Sequence, residues 1–196
     1  VLTAKHGSGF CLWDSAYSAY SVTHPDCPYQ QDLVGQFVRS FTSRGLKVGL
    51  YYGWHHPQDK GSLKVLPPEC DPATHSWPEQ IDFQKAQVAE LIERYPDAFY
   101  IWNDALDDEV IPAGELLAYV HSVRPGVLTS SNWWDWAKKG TPYLDIAVKE
   151  LRDFPESNRA PGETCWQLEK GCWFWEPCSR AGQAHAYVLQ GFPAVV

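Results

Sequence analysis

The sequence predicts an α/β fold, an incomplete (β/α)8 TIM-like barrel forming one domain over residues 1–196, and three observations predict it. Short apolar runs of β-forming residues alternate with amphipathic helical stretches, which is the pattern of βαβ units on a parallel sheet, closed as a barrel or open and doubly wound. The alternation runs to about five or six strands, short of the eight in a barrel that typically needs ~250 residues. The chain has 196 residues and no methionine, opens inside what reads as a strand, and stops in the apolar stretch GFPAVV. A barrel fragment lacking N- and C-terminal strands accounts for the count and the ends together, so the chain is expected to be part of a longer one.

Val1 to Ala4 reads as the first strand. From Asp32 to Arg44, the residues Leu33, Val34, Phe37, Val38 and Phe41 lie on one face of a helix, with Gly45 placed to stop it. Val48 to Tyr52 is a buried strand bounded by Lys47 and Gly53. Val88, Leu91, Ile92 and Tyr95 mark a second helix within 77–95, ended by Pro96, and Ala98 to Trp102 is the next strand. A helix from Ala113 to Val123, stopped by Arg124, Pro125 and Gly126, leads to a strand at Val127 to Ser130, and Tyr143 to Val148 follows as another. The longest irregular connection, Gly53 to Ser76, is rich in Pro, His and Asp, the composition of a functional loop.

Composition narrows the partners. A net charge of −8 argues against nucleic acid, which asks for a basic face. No run approaches 18 apolar residues and no targeting peptide is visible, so a membrane span is not expected. Six cysteines without a CxxC spacing read first as free core thiols, then as disulfides, and last as a zinc site.

In a parallel barrel the reactive groups follow the strands. Here Lys5 and His6 follow the first strand, Trp54, His55 and His56 the second, and Asn103 and Asp104 the third. Ser131, Asn132 and Trp133 come after the fourth, then Lys149 and Glu150. Rings that stack on sugar faces, with carboxylates beside them, make a carbohydrate site. Each also has a plainer reading. His55 and His56 could be surface residues, Asp104 with Asp107, Asp108 and Glu109 a helix N-terminus favoured by the dipole, Trp133, Trp134 and Trp136 core, and Glu150 a solvated carboxylate.

Four segments make the pattern specific. VLTAKHGSGFCLWDSAYSAYSV, GLKVGLYYGWHHP, YIWNDA and GETCWQLEKGCWFWEP resemble, in order along most of the chain, the α-L-fucosidases of glycoside hydrolase family 29. The resemblance implies a barrel catalytic domain that releases terminal α-L-fucose from an oligosaccharide or glycoconjugate with retention, through a covalent glycosyl-enzyme intermediate and without metal or cofactor. It implies Asp104 as nucleophile, Glu150 as acid/base with Glu163 second, and sugar contacts from His6, Trp13, Tyr52, Trp54, His55, Trp102, Glu163 and Phe174 or its neighbour Trp173. Gly7 and Ser8 stand where the family has a second His and an Asp, and Asn132 and Trp133 where it often has an Arg. These departures point to fucose or a related pyranose such as galactose. A sugar-binding pseudoenzyme of the same fold is the alternative, opposed by the retained Asp104. A metal hydrolase built from His6, His55, His56 and Asp104 is disfavoured because the His pair precedes a Pro in a loop.

Overall fold

The computed structural model describes residues 1–54, 73–104, 113–132, 143–150 and 161–165, with the backbone alone at Lys149, Glu150 and Thr164. Six strands, β1 (Leu2–Lys5), β2 (Val48–Gly53), β3 (Ala98–Asp104), β4 (Leu128–Ser131), β5 (Ile146–Glu150) and β6 (Gly162–Cys165), pair in the order β1-β2-β3-β4-β5-β6, every pair parallel. Helices α1 (Leu33–Thr42), α2 (Trp77–Arg94) and α3 (Ala113–Val123) lie between them in sequence. A doubly wound sheet reverses its strand order partway. This one never does.

The helices start and stop for local reasons. Asp32 caps α1 by accepting from the Gly35 N–H at 2.8 Å, and the Tyr95 hydroxyl donates to its other oxygen at 2.8 Å. At the start of α2, Glu79 reaches back to accept from the Ser76 N–H at 2.7 Å and its hydroxyl at 2.6 Å, satisfying a donor the first turn would leave open. Arg124, just past α3, donates to the carbonyls of Ile92, Pro96 and Ala98, tying the end of α2 to the start of β3.

The sheet has two unlike faces. Ala4, Val48, Leu50, Tyr52, Ala98, Ile101 and Ala147 pack with Val34, Val38, Val88, Leu91, Leu116 and Val120 of the helices in the main core. Tyr51, Phe99, Tyr100, Trp102, Leu128, Ile146, Val148 and Cys165 form a second cluster to which, among the described residues, no helix contributes. Two register irregularities decide which residues face which way. One lies between Thr3 and Lys5 where β1 meets β2. Ala4 and Lys5 then share the helix side: Ala4 is in the main core, and the Lys5 ammonium, on a residue only 1% exposed, sits 4.2 Å from the centre of the Tyr52 ring. The other is in β3, where Val48 pairs with Ala98 but Gly49 with Tyr100, so Phe99 and Tyr100 both fall on the second face. An extra residue in one strand resets the alternation beyond it. His6 and the row Tyr100, Trp102, Asp104 thereby come to the second face.

That face is concave. Neighbouring strands lie about 4.8 Å apart, so β3 and β6, with two strands between them, would stand about 14 Å apart in a flat sheet, with parallel side chains that do not meet. Yet Glu163 of β6 contacts both Tyr100 and Trp102 of β3. The sheet therefore curls toward this side. Close packing on it depends on Gly49, where a Cβ would come within 2.9 Å of the Tyr100 ring.

Behind the sheet, the segment after β1 is fastened to α2. Glu90 accepts from Trp13 Nε1 at 2.8 Å, Ser15 Oγ at 3.0 Å and the Ala16 N–H at 2.8 Å. Glu90→Ala leaves the indole N–H of a fully buried Trp13 without its acceptor. We expect a loss of about 2–3 kcal/mol and a thermal midpoint lower by about 5–10 °C, measured by calorimetry. A midpoint within 1 °C of the parent would show that the clamp contributes nothing.

Among the described cysteines, Cys11 is buried and Cys27 and Cys165 are half-buried, and Cys27 is a free thiol.

Candidate active site

Three rings line the concave face across three strands. His6, one residue past β1, stacks on Tyr51 of β2 with centroids 5.5 Å apart and planes 5° from parallel. Tyr51 stacks in turn on Trp102 of β3 at 5.0 Å and 22°. His6 reaches this position because the ends of β1 and β2 come close. A Cβ on Gly53 would lie 3.3 Å from the His6 carbonyl carbon.

Asp104 ends β3 beside this stack. One carboxylate oxygen accepts from the Tyr51 hydroxyl, and the other accepts from Asn132 Nδ2 at 3.1 Å, just past β4. Gripped from the strand on either side, the carboxylate is fixed in direction while the residue stays half-buried and open to the concave side. Its backbone is tied as well, the Trp54 N–H donating to the Asp104 carbonyl at 3.2 Å.

A second carboxylate shares the face. Glu163 Oε1 accepts from Trp102 Nε1 at 3.1 Å and Oε2 from the Tyr100 hydroxyl at 3.1 Å. Burial pushes the Tyr100 hydroxyl well above the ordinary tyrosine range, the Ser130 hydroxyl works against this, and the contact with Glu163 adds to it. Tyr100 is therefore a donor at any working pH. The ladder also places the two carboxylates on one row of the sheet. Asn103 pairs with Ser131, Ser131 with Ala147, and Ala147 with Gly162, so Asp104 and Glu163 each stand one residue beyond the same row. The Glu150 backbone pairs with Cys165, two residues further on.

The structure brings His6, Trp102, Asp104 and Glu163 together. It places three other expected site residues behind the sheet. Tyr52 is fully buried, its hydroxyl donating to Gln87 Oε1 of α2 at 2.9 Å, because adjacent strand residues face opposite ways and Tyr51 takes the concave side. Trp13 is held by Glu90 in the helix layer. Trp54 is 2% exposed, packs edge-on against Tyr52 and donates to Asn103 Oδ1. His55, Trp173 and Phe174 lie outside the described residues, as does the side chain of Glu150. Among the described residues, no three His, Cys, Asp or Glu side chains gather as a metal site would need. Sequence reasoning placed Asn132 at a strand end without a role and missed Tyr51 and Tyr100. The pairing of Tyr51 with Trp102 was the missing signal, and it is not local.

Two carboxylates on one row of a concave, ring-lined face, one held rigidly, can divide nucleophilic and acid/base work on a sugar. The comparisons bear on the same chemistry. The alpha-L-fucosidase family model matches residues 1–192. Alpha-L-fucosidase 1 of Arabidopsis thaliana is 25% identical over 174 residues, 86% of this chain and 29% of that protein. Tissue alpha-L-fucosidase of Rattus norvegicus is 31% identical over 147 residues, 68% of this chain and 29% of that protein. The crystal structure of a family 29 alpha-L-fucosidase from Bacteroides thetaiotaomicron, a trapped covalent intermediate in complex with 2-fluoro-fucosyl fluoride, superposes with a TM-score of 0.67 at 20% identity, covering 92% of this chain and 44% of that one. The chain thus spans 29% of the length of both curated relatives.

Proposed function

Because this chain belongs to the alpha-L-fucosidase family, we propose that it is the catalytic part of a retaining glycoside hydrolase that removes terminal α-L-fucose, or a related pyranose, from oligosaccharides or glycoconjugates. The observation that carries the proposal is the carboxylate of Asp104, fixed at both oxygens by Tyr51 and Asn132 on the face that also holds Glu163. On this reading, the six parallel strands are the larger part of a (β/α)8 barrel, whose strand ends carry the reacting groups.

Asp104 attacks the anomeric carbon while Glu163, protonated, gives its proton to the departing glycosidic oxygen. The C–O bond to the aglycone breaks and a glycosyl ester of Asp104 forms with inverted configuration. Glu163, now a carboxylate, takes a proton from water, which attacks the same carbon, frees Asp104 and restores the original configuration. Retaining pairs work at about 5–5.5 Å, a separation that a curled sheet allows and a flat one does not. Trp102 and Tyr100 hold Glu163 by neutral donors that stay in place as its proton leaves and returns. Glu163 replaces Glu150 as the first choice of acid/base because it shares a row with Asp104 and contacts the ring beside it. His6, Tyr51 and Trp102 form the apolar wall for the sugar, with Tyr51 in the role expected of Tyr52. A covalent intermediate trapped in a relative of the same fold agrees with this scheme.

The test is a panel of 4-nitrophenyl glycosides given to an enzyme that carries this chain. Release of nitrophenol from the α-L-fucoside is expected, with the galactose-configured glycosides next, and proton NMR of the first-formed sugar should show the α anomer. No turnover on any of them would overturn the proposal in favour of a sugar-binding role, and a β anomer would overturn the retaining mechanism.

A further inference from the structure

Directly before Asp104 stands Asn103, fully buried. Its Oδ1 accepts from Trp54 Nε1 at 3.0 Å, at the end of β2. Its Nδ2 donates into β4, to Thr129 Oγ1 at 2.7 Å and the Ser130 carbonyl at 2.9 Å, and back to the Ile101 carbonyl at 3.2 Å. The amide therefore spans three strands from the side opposite the site. Its backbone carbonyl accepts from the Asn132 N–H at 3.1 Å.

These contacts meet the grip on Asp104 at both ends. Tyr51 reaches the carboxylate from β2, which Asn103 holds through Trp54. Asn132 reaches it from the end of β4, which Asn103 holds through Thr129, the Ser130 carbonyl and Asn132's own N–H. A parallel ladder alone sets strand spacing but asks for no particular side chain. A buried amide with its acceptor turned to one neighbour and its donors to the other adds direction, since any twist of β2 or β4 about β3 leaves a buried polar group unpaired.

We infer that Asn103 is a positioning residue for the nucleophile, holding β2 and β4 so that Tyr51 and Asn132 aim the Asp104 carboxylate at the anomeric carbon. The inference rests on the reading of Asp104 as nucleophile and adds that its aim is set from behind the sheet by a group that never meets substrate. Alignment of this kind matters because reacting atoms must be held at about 3–3.5 Å, and a misplacement of about 1 Å can cost roughly 10²-fold in rate.

A double-mutant cycle with a diffusible nucleophile tests it. Asn103→Ser replaces the amide with a shorter hydroxyl, and Thr129→Val removes one of its partners with little change of shape. Each is made in the native enzyme and in Asp104→Gly supplied with azide, with 4-nitrophenyl α-L-fucoside as substrate. In the native enzyme, kcat should fall about 30-fold for Asn103→Ser and about 5-fold for Thr129→Val, with KM moving less than about 3-fold. With azide as nucleophile, the same changes should alter the rescued rate by less than about 3-fold, because a free anion needs no aiming.

If the rescued rate falls by the same factor as the native one, Asn103 supports the whole site and the inference is overturned. If Asn103→Ser does not fold, the Thr129→Val cycle decides by the same criterion. An Asp104→Gly enzyme that is fast without azide would instead remove the nucleophile reading itself, and this inference with it.

Discussion

Replacement of Asp104 by glycine will lower fucoside hydrolysis on the order of 10⁴-fold or more, and the lost activity will return in part when azide is added. No other described carboxylate can attack from the end of β3. Glu163 is engaged by Tyr100 and Trp102 on the far side of the face, and Asn103 is turned to the helix side. Glycine leaves room for a small anion in the space the carboxylate vacates. Attack by azide is a single displacement, so the product from an α-fucoside will be the β-fucosyl azide, identified by NMR. Asp104 is half-buried and its partners open onto the concave side, where water can replace it, so the thermal midpoint will change little. Near-native turnover of an activated aryl fucoside by Asp104→Gly would defeat both the nucleophile assignment and the mechanism built on it.

Glu163→Ala will behave differently. General acid/base assistance is worth about 10²–10⁴-fold, and the loss will depend on the leaving group. Fucosides of ordinary sugar alcohols, which need a proton on the departing oxygen, will lose nearly all of that factor. Dinitrophenyl fucoside needs little help and will still form the glycosyl ester, which then accumulates because no base activates water. Stopped-flow assays should show a fast burst followed by a slow steady state, and mass spectrometry should find the fucosyl group on Asp104. Azide will speed the second step and give the α-fucosyl azide, opposite in configuration to the product of the Asp104 variant. If Glu150→Ala shows this behaviour and Glu163→Ala keeps its rate on poor leaving groups, the acid/base is Glu150.

These roles were unevenly legible beforehand. α3 was read from Ala113 to Val123 and is found there, because its apolar spacing and the Arg124, Pro125, Gly126 stop are both local. β3 was expected to end at Trp102 and runs on to Asp104, since Asn and Asp look like loop residues until Asn103 is seen buried between its neighbours. The four residues of β6, GETC, carry no apolar periodicity that would mark them as a strand. Their place in the sheet comes from pairing with β5.

By itself the sequence determined the alternation of strands and helices, the strand end where Asp104 stands, and the kind of chemistry its rings and carboxylates support. Those features are written in spacing and residue type over a few neighbouring positions. Which face each residue takes was decided only in the folded sheet. Period-two alternation says that Tyr51 and Tyr52 point apart, but not which takes the concave side, and the irregularities at Thr3 to Lys5 and at Phe99 shift the alternation where no local pattern announces it. The row on which Glu163 stands belongs to the same class, because it is set by hydrogen-bond register between strands far apart in the chain, and by a curl that brings β6 to β3 across two intervening strands.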